Sequence, residues 1–93
     1  MNHRVPVQTA TLQSALKRIL DNLEKRIKQH GRMSFIGAHE VRGALDEEWA
    51  ELLLAIHDNN KRQVQKEISD LAVGCLFGLA SLMENEQARR LRK

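Results

Sequence analysis

A chain of 93 residues, 42% of them hydrophobic, has material for one small domain and not for two. With one proline, five glycines, no tyrosine and only Phe35, Trp49 and Phe77 as aromatics, it reads as all-α and excludes an all-β design. The formal charge of +3 becomes −1 once Arg89, Arg90, Arg92 and Lys93 are set aside, so the body is near neutral, and with no zinc-finger or RNP-type signature the composition argues against a nucleic-acid partner.

In chain order, residues 1–8 read as a flexible arm, with Pro6 opposing an early helix start. Thr9 or Thr11 is placed to cap a first helix running to about Gln29. Leu12, Leu16, Ile19, Leu20, Leu23 and Ile27 give it one apolar stripe. Lys and Arg gather in its last turns, at the negative end of the helix dipole, and Gly31 is placed as the C-cap. Arg32 to Ala38 form a connector with room for a helical turn. A second helix covers roughly Ala38 to His57, and Asp58, Asn59 and Asn60 signal a short turn. The third helix runs from Lys61 to about Met83, and 84–93 follow as a polar, basic tail.

Short loops favour antiparallel neighbours, and a core this thin for a monomer favours pairing of chains. The expected architecture is therefore a single helical domain over 1–93, an antiparallel helical bundle completed by dimerisation. The longest uncharged run, Leu71 to Met83, has 13 residues, whereas a bilayer needs about 20. It is expected to be a buried core helix, not a membrane span. Cys75 is alone, so no internal disulfide can form, and the opening residues lack the apolar region of a signal peptide. A soluble, cytoplasmic protein is expected, with Cys75 a small core residue.

Helical geometry, about 100° per residue, singles out five acids. On the second helix Val41, Leu45, Leu52 and Ile56 define the apolar stripe, and Glu48 falls in its centre. Glu51 lies about 60° to one side and Glu47 about 40° further round. A carboxylate aimed at a core is costly unless a cation meets it. On the third helix Val64, Ile68, Leu71, Cys75, Leu79 and Leu82 form the stripe, Glu67 sits on its edge, and Asp70 lies further to that side. Gly74, Gly78 and Ser81 continue that side as a bare groove, read as tight helix contact or as room for a ligand. If the two helices are antiparallel neighbours, Glu48, Glu51, Glu67 and Asp70 converge, and all-oxygen ligation suits Mg²⁺ or Mn²⁺.

The strings EEWAE (Glu47 to Glu51) and EISD (Glu67 to Asp70) resemble the all-α NTP pyrophosphohydrolase superfamily, in its MazG-like branch. The resemblance covers about residues 34 to 83. It implies a Mg²⁺-dependent enzyme that cuts a nucleoside triphosphate to the monophosphate and pyrophosphate, as a homodimer or homotetramer. By that likeness Glu48, Glu51, Glu67 and Asp70 bind metal, and Glu47 and Glu48 are catalytic, Glu47 as a further ligand or as the group that positions the attacking water. Arg42, Lys61, Arg62 and Lys66 are candidates to clamp the phosphates, and Trp49 to stack on the base. A phosphoribosyl-ATP pyrophosphohydrolase is a second reading, although VRGALDEE lacks the lysine-rich lead of that branch. A third is a helical interaction module whose acids are structural. The stretch LAVGCLFGLASL departs from the superfamily in carrying no charged residue and no amide.

Overall fold

The computed structural model describes residues 3–92. Met1, Asn2 and Lys93, the ends of the expected arm and tail, lie outside them. The described chain forms three helices, α1 (Thr9–His30), α2 (Gly37–His57) and α3 (Lys61–Leu91), with no strand among the described residues. Among the described residues no helix is long and apolar enough to cross a membrane.

The N-cap of α1 is Gln8, in extended conformation and without a side-chain cap bond, so neither Thr9 nor Thr11 caps it. Gly31 ends the helix as expected. At φ 83° it adopts a backbone that favours glycine, and its N–H reaches Ile27 O at 2.7 Å. The connector makes no helical turn. It is instead pinned across α3: Phe35 N–H donates to Ser81 Oγ at 3.0 Å, Asn85 Nδ2 donates to Phe35 O at 2.9 Å, and the Phe35 and Phe77 rings meet edge to face at 5.3 Å. These bonds satisfy a backbone that has no helical partners of its own. At the other turn Asn59 takes φ 60°, and the Asn60 side chain accepts from Gln63 N–H at 3.1 Å to cap α3.

α3 does not stop at Met83. Residues 84–91 continue the helix, which corrects the expectation of a tail. Strong helix formers fill that stretch, Glu86 pairs with Arg90 at 2.9 Å one turn on, and Asn85 is tied to the connector.

α2 packs along α3. A Cβ placed on Gly78 would lie 2.9 Å from Val41 Cγ1, and one on Gly74 would lie 3.2 Å from Leu45 Cδ2. Gly74 and Gly78 therefore form the seat of α2, while Ser81 receives Phe35 of the connector, so along that groove the tight contact is realised at the two glycines. The consequence is a rotation of α3 relative to its expected facing. The side carrying Glu67, Asp70, Val73, Gly78 and Ser81 is buried, whereas Ile68 is 51% and Leu79 60% exposed, and Cys75 and Leu82 are also on the surface. Ile56 on α2 is likewise exposed, its place in the contact taken by Ala55. Cys75 as a core residue and Leu71–Met83 as a buried core helix are both corrected by this facing, which buries Val73, Gly78 and Ser81 and leaves Cys75, Leu76, Leu79 and Met83 exposed. Glycine permits the closest backbone approach, and that approach outranks the apolar stripe within one chain.

α1 lies against α3 and not against α2. Ile19, Leu23 and Ile27 are half-buried, and polar links join them: Arg18 Nη1 donates to Gln65 Oε1 at 3.0 Å, and Asn22 Nδ2 donates to Ser69 Oγ at 2.9 Å. No residue of α1 is buried, and Leu12 and Leu16 are each 58% exposed. The molecule measures 59 × 29 × 24 Å with a radius of gyration of 16.0 Å, against about 12 Å for a compact chain of this length.

Candidate metal centre

Where α2 crosses the second and third turns of α3, the carboxylates of Glu48, Glu67 and Asp70 meet, each offering an oxygen within 4.8 Å of the others. Glu48 reaches this point because it occupies the inward stripe of α2 between Leu45 and Leu52. Glu67 and Asp70 reach it because a spacing of three residues puts them on one helix face. Glu67 and Asp70 are buried, at 3% and 8% exposure. At an effective dielectric of about 20, two carboxylates so placed repel by roughly 3 kcal/mol. Something must offset that.

Part of the offset comes from two cations. Arg26 of α1 sets Nη2 at 3.2 Å from Glu48 Oε1 and Nη1 at 3.5 Å from Asp70 Oδ1. Lys66 Nζ lies 3.0 Å from Asp70 Oδ2 and 3.5 Å from Glu67 Oε1. Neutral donors add to it: Asn22 Nδ2 to Asp70 Oδ1 at 2.8 Å, and Gln63 Nε2 to Glu67 Oε1 at 2.6 Å. Burial alone would raise the pKa of Asp70. The bonds from Asn22 and Lys66, with the charges of Lys66 and Arg26, outweigh it and hold the group below its ordinary value. Lys66 is correspondingly raised, chiefly by its bond to Asp70.

The offset is incomplete. Three carboxylates face two cations, and two buried oxygens, Glu48 Oε2 and Glu67 Oε2, have no hydrogen-bond partner. Buried carboxylate oxygens left bare are costly, and the donor set is all oxygen, so a hard divalent cation fits the residues present.

The other expected site residues divide. Glu51 is exposed at the rim. Its pKa is raised, first by a hydrogen bond of its protonated form to Glu67 and then by repulsion from Glu48, which places it beside the cluster but outside the close trio. Glu47 is exposed and lines a separate cavity of about 470 Å³ bounded by Arg26, Glu48, Val73 and Phe77. Lys66 is exposed, and its Nζ reaches Asp70 and Glu67 from the solvent side. Arg42 is on the surface in an ion pair with Asp46 at 3.5 Å. Lys61 and Arg62 are exposed at the start of α3, with no ion pair among the described residues, and Trp49 is half exposed outside the cavities around the cluster. The structure does not bring these four to the acids.

Asn22, Arg26 and Gln63 are the partners that sequence reasoning missed. The signal was present for two of them: Asn22 and Arg26 are spaced i,i+4 directly beside Leu23 and Ile27, on the flank of the α1 stripe. Arg26 also belongs to the basic end of the helix, where the helix dipole alone favours a cation.

Comparison of the chain with protein-family models, with curated proteins and with solved structures gives no match.

Proposed function

We propose that the protein is a Mg²⁺-dependent nucleoside triphosphate pyrophosphohydrolase, Mn²⁺ being the alternative ion, with the antiparallel helical bundle of the MazG-like branch. The observation that carries this reading is the convergence of Glu48, Glu67 and Asp70 with two bare buried oxygens, within the spacing of EEWAE and EISD. Glu48, Glu67 and Asp70 hold the ion, Glu51 joins from the rim, and Glu47 serves the attacking water. The ion supplies charge neutralisation on the phosphates and a more acidic water. The chain's own residues set up the site: Asn22 keeps Asp70 ionised and aimed, Gln63 orients Glu67, and Lys66 balances charge on both.

A homo-oligomer in the cytoplasm belongs to the same reading. Among the described residues only Val41, Leu52, Ala55 and Val73 are buried apolar side chains, while leucines of α1 and α3 face outward on an elongated molecule. A second copy supplies the missing cover. The test of function is pyrophosphate release from a panel of common and damaged (d)NTPs, with phosphoribosyl-ATP included. Release from at least one, lost in Glu48→Gln, is the expected result, and no release from any refutes the enzyme.

One observation favours the interaction-module reading. Arg26 and Lys66 already meet the carboxylates, so the cluster has internal counter-ions. Under that reading divalent cations leave the melting temperature unchanged.

A further inference from the structure

Of the three clustered carboxylates, Asp70 also lines a cleft of about 520 Å³ between α1 and α3, and the character of that cleft is mainly cationic. Its walls carry four cationic side chains, Arg18, Lys25, Arg26 and Lys66, against two acids, Asp21 and Asp70. Both acids are already matched. Asp21 pairs with Lys17 at 2.7 Å, and Asp70 with Lys66 and Arg26. Two of the cations are not matched: Arg18 bonds the neutral Gln65, and Lys25 has no anionic partner among the described residues. From Arg18 to Arg26 is two turns of helix, about 12 Å, so the cationic wall suits a chain of phosphates better than a single one.

Arg26 stands at the junction. Its two nitrogens touch Glu48 Oε1 and Asp70 Oδ1, on carboxylates that a divalent cation would claim. An ion of charge two bound there repels the guanidinium, whose side chain is long enough to turn into the cleft that it also lines. Arginine is suited to the second task, since its planar fork matches phosphate oxygens two at a time.

We propose that the α1–α3 cleft is a polyphosphate subsite, in which Arg18 and Lys25 grip the anion and Arg26 exchanges from the carboxylates to the phosphates when a divalent cation binds. The exchange rests on the metal reading above; the grip by Arg18 and Lys25 does not. It makes Arg26 a counter-ion in one state and a ligand clamp in the other, so metal and phosphates enter in a coupled order.

The test uses the full chain with inorganic tripolyphosphate as probe, by calorimetry at low salt, first with EDTA and then with Mg²⁺ in excess of the probe. Binding should tighten at least tenfold with Mg²⁺. The double variant Arg18→Ala/Lys25→Ala alters exposed positions; it should weaken tripolyphosphate at least tenfold and keep the Mg²⁺-induced rise in melting temperature. Arg26→Gln should bind Mg²⁺ several-fold more tightly yet lose the Mg²⁺-dependent gain in tripolyphosphate affinity. Comparing a nucleoside triphosphate with tripolyphosphate separates the natural sources, and either one binding through Arg18 and Lys25 supports the subsite. Tripolyphosphate affinity unchanged in the double variant, or no affinity in the parent, overturns the subsite even if Mg²⁺ stabilises the protein. No Mg²⁺ effect on melting overturns the exchange and the metal centre together, and leaves the binding arm in EDTA to decide the grip.

Discussion

The Arg26 guanidinium of α1 lies 3.2 Å from the Glu48 carboxylate of α2, although α1 packs on α3 and not on α2. This ion pair spans the bundle at the level of the acid cluster, and it explains how a carboxylate survives in the apolar face of α2. Glu48 is not fully satisfied by it, because Oε2 stays bare. The site is thus held together by cations that leave two buried carboxylate oxygens without a donor, and under the metal reading a divalent ion takes that place.

That place should be visible as stabilisation. Mg²⁺ at about a hundred times its dissociation constant stabilises the folded chain by about 2.7 kcal/mol, which for a domain of this size raises the melting temperature by about 10 °C or more. Glu48→Gln removes one charge and one ligand oxygen, and should abolish the rise. Differential scanning calorimetry in EDTA and in Mg²⁺ makes the comparison, and a variant that still responds to Mg²⁺ as the parent does would remove Glu48 from the ligand set.

The pH dependence follows from two carboxyls shifted in opposite senses. Asp70 lies below its ordinary 3.8 in the fold, so it contributes stability above that value and loses it as pH falls through the lower folded value. Glu51 lies above its ordinary 4.5, so it binds its proton more readily in the folded chain. Its ionisation costs stability near neutrality, and the cost is relieved as pH falls through the raised value toward 4.5. Metal-free protein should therefore gain a little stability on mild acidification and lose it below about pH 4. Urea titrations across pH should show the gain vanish in Glu51→Gln and the acid loss shrink in Asp70→Asn.

The two glycines at positions 43 and 78 should respond in opposite directions to alanine. A Cβ on Gly78 would stand 2.9 Å from Val41 Cγ1 in the buried helix contact, and overpacking of this kind costs about 1–3 kcal/mol. Gly43 is an exposed helix interior position with nothing within 4 Å of an added Cβ, where alanine gains about 0.5–1 kcal/mol. Thermal melts of the two single variants check both signs, and a neutral Gly78→Ala would mean that α2 sits further from α3 than described.

Leu79 is 60% exposed on the outward stripe of α3. If a second copy covers that stripe, light scattering should give at least twice the monomer mass of 10.7 kDa. Leu79→Glu should shift the population toward monomer and lower the melting temperature. A monomeric parent chain at micromolar concentration would discard the homo-oligomer.

Much of this protein is legible in its sequence. Three helices and their joints follow from periodicity, from Gly31 and from the Asp58 to Asn60 turn, because those signals are local and act through backbone conformation alone. The convergence of Glu48, Glu67 and Asp70 follows too, since a spacing of three residues fixes one face and a short turn fixes the neighbour. The extension of α3 to Leu91 was readable in principle from helix-forming residues, but a polar composition looks alike in a tail and in an exposed helix.

Which face of α3 turns inward was decided only by tertiary structure. Hydrophobicity favours the stripe of Ile68, Cys75 and Leu79, whereas Gly74 and Gly78 allow Leu45 and Val41 to approach the backbone itself, and within one chain the close approach wins. The same holds for Arg26. Its charge is plain in the sequence, but its partners lie 22 and 44 residues away, and no local rule distinguishes a basic side chain at the end of a helix from one that holds two carboxylates together.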